Sequence, residues 1–137
     1  MITLNLLAPM EEVINVIGDK HRGAGWYGHT NGLHTVAIRV LNFRGRVKVQ
    51  ATIAIEPTES DWFSVLPNNV SYIEYPQRGY IVQSPSTGET SVYGFNFSMN
   101  AIWVRALVDR SYLIPSTYTP QQIMAYGVVD YVTLSYT

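Results

Sequence analysis

Between residues 45 and 56 the chain alternates with a period of two, and few folds tolerate that pattern. Val47, Val49, Ala51, Ile53 and Ile55 fall on one face, and Arg46, Lys48, Gln50, Thr52 and Glu56 on the other. Such a segment is a strand with one side on a core and one side in water. The run 33–43 repeats the pattern, with Val36, Ile38 and Val40 alternating with Ala37, Arg39 and Leu41. Asn42, Arg44 and Gly45 between the two runs have the chemistry of a hairpin turn. A second hairpin is expected over residues 91–109. Its first strand carries Tyr93, Phe95 and Phe97 on one face, and Ser98, Met99 and Asn100 make its turn. Its second strand is apolar on both faces near Trp103 and is expected at the centre of a sheet.

Further strands are expected at residues 70–75, 78–83 and 126–136, with 2–7 and 12–17 each able to add one. In the last of the three, Tyr126, Val128, Val132, Leu134 and Tyr136 share a face. Ten tyrosines reinforce the bias, because aromatic and β-branched side chains suit a pleated, half-buried surface. Residues 21–32, 84–88 and 111–122 read as loops, and Thr119-Pro120-Gln121-Gln122 is able to start one helical turn. Eight or nine short strands separated by turn signals predict an all-β protein, an antiparallel sandwich of jelly-roll type.

At 137 residues the chain has room for one such domain, residues 1–137. Pro9 and Gly18 bracket its start, so residues 1–18 either pack on the domain or extend as an arm. Hydrophobic residues make up 47%, enough for a packed core. Charged residues make up 14%, against roughly 25% in an average soluble domain, so much of the surface is suited to meeting another protein. The net charge of −1 gives no support to nucleic-acid binding. The absence of cysteine excludes disulfides, thiolate nucleophiles and thiolate metal sites. No targeting segment and no apolar run of membrane-spanning length is read.

Few residues point to chemistry. Glu56, Glu59 and Asp61 precede Trp62 and Phe63. Carboxylates beside an aromatic suit acid–base work on a glycoside, or calcium. The plainer expectation is a solvated loop from which Trp62 and Phe63 fold back as core plugs. His21, His29 and His34 have no metal-ligand spacing, and His34 is expected to face water on its strand. No nucleophile elbow or phosphate-binding loop occurs, so the expectation is a protein that is not an enzyme and holds no cofactor or metal. Trp26 and Tyr27 in the glycine-rich loop, and Tyr75, Tyr80 and Tyr118 near turns, are the candidate contact residues. Aromatics there serve protein interfaces or stack on sugar rings. Arg105 shares a strand face with Trp103 and needs a carboxylate or an aromatic plane, from Trp103 or from the Glu59/Asp61 cluster.

The run Phe43-Arg44-Gly45-Arg46-Val47-Lys48-Val49-Gln50-Ala51-Thr52 is followed by Asp61-Trp62-Phe63, then by Val92-Tyr93-Gly94-Phe95-Asn96-Phe97 and Asn100-Ala101-Ile102-Trp103-Val104-Arg105-Ala106. This order resembles small β-sandwich structural proteins of tailed bacteriophages, of the T4-like and cyanobacterial phage type. The resemblance covers about half of the chain, residues 42–109. It implies a virion component without enzymatic activity: a capsid decoration, neck, tail or baseplate part, or a fibre-attachment module. It implies docking to other virion proteins, a homo-oligomer, and scaffold roles for Gly45, Gln50, Trp62, Trp103 and Arg105. The alternatives are a carbohydrate-binding sandwich module that takes a surface glycan, and an accessory domain of glycosidase ancestry.

Overall fold

The computed structural model describes residues 2–7, 14–77 and 88–136. Its strands are β1 (Ile2–Leu7), β2 (Asn15–Ile17), β3 (His21–Arg22), β4 (Gly32–Phe43), β5 (Gly45–Thr52), β6 (Phe63–Ser64), β7 (Ile73–Tyr75), β8 (Glu89–Met99), β9 (Trp103–Asp109) and β10 (Val128–Tyr136). A short helix, α1 (Pro120–Met124), starts at the capping box of Thr119 and Gln122. The expected strand at residues 78–83 lies outside the described residues.

The strands form two antiparallel layers. One has the order β1-β10-β4-β8. In the other, β9 and β5 lie side by side, with β2 and β3 both on β9, and β6 and β7 both on β5. β2 and β3 are therefore two halves of one strand, as are β6 and β7. On that count eight strands remain among the described residues, and their pairing is nested. The first pairs with the last, the β2/β3 strand with β9, β4 with β8, and β5 with the β6/β7 strand. One antiparallel ribbon has been rolled into two layers, which is the jelly roll. The ribbon turns back on itself over residues 53–62.

Both expected hairpins are instead arches. β4 pairs with β8 and β10, while β5 pairs with β9, β6 and β7, so the chain changes layer at residue 44. It changes layer again between β8 and β9. In an arch, as in a hairpin, two alternating runs flank a short turn, and the alternation does not tell them apart. The first arch turns on left-handed Asn42 (φ 50) and on Gly45 (φ 154). Asn42 is held there because its N–H donates to Thr90 Oγ1 (2.9 Å) and its Oδ1 accepts from Gly88 N–H (2.7 Å). Inward positions switch parity across the turn, from Val36, Ile38 and Val40 to Phe43, Val47, Val49 and Ala51, all 0% exposed.

The core between the layers includes those residues with Phe95, Phe97, Val104, Ala106, Val108, Val132 and Leu134. β9 is central in its layer, as its apolar character predicts. β5 ends at Thr52, however, and Ile53 and Ile55 are both 68% exposed rather than continuing the inward row. β10 carries a bulge between Val129 and Tyr131. The extra residue shifts the phase, so Val129 faces the core where Val128 was expected.

Candidate functional site

Arg105 organises the outer face of the β9–β5 layer. It follows Val104 and precedes Ala106, both inward, so strand alternation sends its side chain outward. It is nevertheless only 7% exposed. Cross-strand register sets Gln50 opposite, and Arg105 Nε–H donates to Gln50 Oε1 (3.0 Å). The loop at the turn of the ribbon then folds over it. Thr58 and Asp61 close a capping box around the turn Glu59–Asp61, with Thr58 N–H donating to Asp61 Oδ2 (2.7 Å). That box spends Asp61 on the loop itself and leaves Glu59 to face the arginine. Arg105 donates to both Glu59 oxygens, at 3.2 and 2.8 Å, as a fork. Trp62 lies against the guanidinium, 4.2 Å from its ring centroid.

The arginine thus has a carboxylate and an aromatic plane, but the plane is Trp62 rather than Trp103. Trp62 is half-buried on the outer face and Phe63 is 40% exposed, so neither is a core plug. The hydrogen bonds and charge of Arg105 hold the Glu59 carboxyl below its usual range. Glu59 is thus tied to Arg105, and Asp61 to its own loop. Among the described residues no three histidine, aspartate or glutamate side chains converge as a metal site.

Trp103 forms the floor of a groove beside this cluster. Its indole N–H donates to Ile55 O (2.9 Å), which fixes the ring against the loop. The groove encloses about 660 Å3 between residues 17–20 on one side and 57–62 on the other. A second hollow of about 340 Å3 shares Lys20 and Trp103 with it and runs on towards Tyr27 and Tyr136. Trp26 leans on Trp103 with ring centroids 4.9 Å apart. Lys20 Nζ sits over the Trp103 ring at 5.0 Å, and the Arg22 guanidinium over Trp26 at 4.7 Å. Trp62 and Trp103 therefore line the trough, and Trp26 packs on Trp103. Tyr136 closes its far end, donating to the Arg22 carbonyl and so linking β10 to β3 across the two layers.

The remaining candidates scatter. Tyr27 is 50% exposed, with its ring 6.4 Å from that of Tyr136. Tyr75 is 2% exposed and packs edge-on against Phe43, so it is a core residue and not a contact residue. Burial, with Glu89 nearby, raises its phenol above the usual range. Tyr118 is half-buried against Tyr126. Tyr80 lies outside the described residues. Gly45 stands at the first arch, where a Cβ would lie 2.5 Å from Arg110 Cγ. His34 does not face water. It is 0% exposed, stacked on Phe97, and its Nε2 accepts the Ala24 N–H (3.0 Å). Sequence reasoning missed Lys20 and Arg22. The signal was the short basic run Lys20-His21-Arg22 just before the glycine-rich loop that carries Trp26.

The fold and the trough together define a jelly-roll sandwich with one charged, aromatic face. No family model, curated protein or solved structure matches the chain.

Proposed function

We propose that the chain is a non-enzymatic structural subunit of a bacteriophage virion, acting by docking to copies of itself and to neighbouring virion proteins. One observation carries the reading: the outer face of the β1-β10-β4-β8 layer is almost free of charge. Thr3 and Asn5 on β1, Thr35 and Ala37 on β4, Gly94, Asn96 and Ser98 on β8, and Thr133 and Ser135 on β10 make it smooth and polar. Val92 and Leu33 add apolar surface, 60% and 57% exposed. Its ion pair is Arg39 with Asp130 (3.6 Å). Charged residues are depleted at interface cores, and short side chains lose little entropy when covered.

Among the described residues β8 is the edge of that layer, which supports the same reading. Strand β8 runs eleven residues, and after Glu89 it carries no charge and no proline. Soluble monomers usually blunt such an edge with lysine, proline or a bulge. The resemblance of residues 42–109 to phage sandwich proteins supplies the virion setting. The jelly roll is compatible with it, since viral capsid domains use this architecture, but that is analogy at the level of fold alone.

The test is the mass of the purified protein by light scattering over a concentration series. A stable closed oligomer is the expected result. A monomer at every concentration that also fails to attach to purified phage particles would overturn the proposal.

A further inference from the structure

We propose that the tryptophan-lined trough on the β9–β5 layer binds an acidic oligosaccharide. The tryptophans are the first reason. Trp62 and Trp103 are absent from the hydrophobic core and line one surface depression, with Trp26 packed on Trp103. Indoles on an outer sheet face offer flat apolar area to the flat faces of pyranose rings. The space suits an extended ligand. The two hollows of about 660 and 340 Å3 meet at Lys20 and Trp103, and each falls within the usual range of ligand sites, about 300–1,000 Å3.

Charge decides the class of sugar. Other arginines on this layer have carboxylate partners: Arg105 has Glu59 and Arg46 has Glu74. Lys20 and Arg22 have no carboxylate within ion-pair distance among the described residues; each is held over an indole instead. Each cation covers the indole face it sits on, so a sugar that reaches the exposed part of the ring meets a cation that lacks an anion. A carboxylate on the sugar supplies it. Asp19 and Glu59 at the rim are acceptors for sugar hydroxyls. Two unpaired cations match one or two sugar carboxylates better than the charge on every nucleotide of a polyphosphate strand, which would also be drawn to indoles and cations.

Tryptophan emission reads the site directly, because two of the three tryptophans line it and the third packs on Trp103. The protein is titrated with a galacturonic acid tetrasaccharide and with sialyllactose. Their neutral counterparts, the methyl-esterified tetrasaccharide and lactose, are run beside them, with oligothymidylate as the nucleic-acid arm. Saturable binding of at least one acidic sugar is expected, weakened about tenfold or more in its neutral counterpart. Lys20→Gln, an exposed change, is expected to weaken it by about the same factor, and Trp26→Ala, which removes the ring packed on Trp103, to weaken it too, both with unaltered far-ultraviolet circular dichroism. No saturable response to either acidic sugar overturns the proposal. So does equal binding of the neutral sugars, preferential binding of oligothymidylate, or an unaffected Lys20→Gln variant. The trough takes Ile2, Leu4 and Tyr136 from the other layer but none of the residues of the uncharged outer face, so failure here leaves the docking proposal standing.

Discussion

At the scale of single residues, Arg105 shows how an outward side chain becomes buried. Its fork needs two parallel N–H groups for Glu59, a third for Gln50 and a flat cation against Trp62. Lysine has one point charge and no plane. Arg105→Lys is therefore expected to destabilise the protein by roughly 1–2 kcal/mol in urea denaturation, and to shift tryptophan emission as Trp62 loses its partner. An unchanged midpoint and spectrum would show that the loop holds itself in place. His34 gives a second expectation. Burial lowers its pKa from the ordinary 6.5, with backbone contacts at Gly32 and Phe97 opposing weakly. Geometry agrees, because the Ala24 N–H points at Nε2, and a proton there would set donor against donor. The unfolded chain takes up this proton more readily than the folded one. His34 thus contributes stability that is complete above the unfolded pKa and is lost as pH falls towards the folded one. The melting temperature should fall as pH drops below the ordinary 6.5, and His34→Gln, which keeps an acceptor, should flatten that part of the profile. A variant with the parental slope would assign the dependence to other groups. Of this cluster, the sequence disclosed that Arg105 needs a partner. It could not disclose Trp62 as the aromatic plane, because the plane is set by how residues 53–62 fold over the sheet.

At the scale of elements, the strands were legible and their partners were not. Alternation located β4, β5, β8 and β9 and their inward faces, since burial of one face is a local property of the chain. Whether consecutive strands share a sheet depends on which way the turn between them rolls, and a few backbone angles decide that. Asn42 and Gly45 read as hairpin residues and serve an arch, because positive φ serves either geometry. The bulge in β10 moved Val129 inward for a similar reason: one extra residue resets the parity of all that precedes it. The trough was half legible. Trp26 and Trp103 stood out as large aromatics, but only the broken edge strand β2/β3 brings Lys20 and Arg22 beside them. The first arch also allows a sharp test. At Gly45 φ is +154°, and a Cβ would meet Arg110 Cγ at 2.5 Å and Phe43 Cζ at 2.8 Å, both in fully buried side chains. Arg110 itself is pinned there, donating to the Gly127 carbonyl (3.0 Å). Gly45→Ala should therefore lower the unfolding free energy by more than about 2 kcal/mol, measured in urea. A smaller loss would mean that the arch relaxes around the methyl group.

At the scale of the whole molecule, the two layers divide the surface chemistry between them. The β9–β5 layer carries Arg46, Lys48, Arg105 and Asp109 outward, with Arg46 held between the rings of Tyr72 and Tyr112. The β1-β10-β4-β8 layer carries outward threonine, serine, asparagine, glycine and alanine, with the single Arg39–Asp130 pair. A low overall charge is thus not spread evenly; one face is nearly bare and the other holds most of the strand-borne charge. If the bare face and the β8 edge are where copies meet, a charge placed there should act on assembly and not on folding. Val92 is the position to use. It is 60% exposed, points away from the core, and lies on the edge strand opposite Arg39. Lysine there keeps the stem's apolar contacts but brings a second cation beside Arg39, and edge lysines are a natural block to strand pairing. Val92→Lys is expected to leave the melting temperature of the subunit nearly unchanged and to shift light-scattering mass towards the monomer. On the other layer Leu107→Lys, at a half-buried position opposite Lys48, adds a cation to the charged face and, with the melting temperature as its folding control, should leave the oligomer intact. An oligomer that survives Val92→Lys but dissociates with Leu107→Lys would move the docking surface to the trough side, where it would compete with the sugar for Trp103.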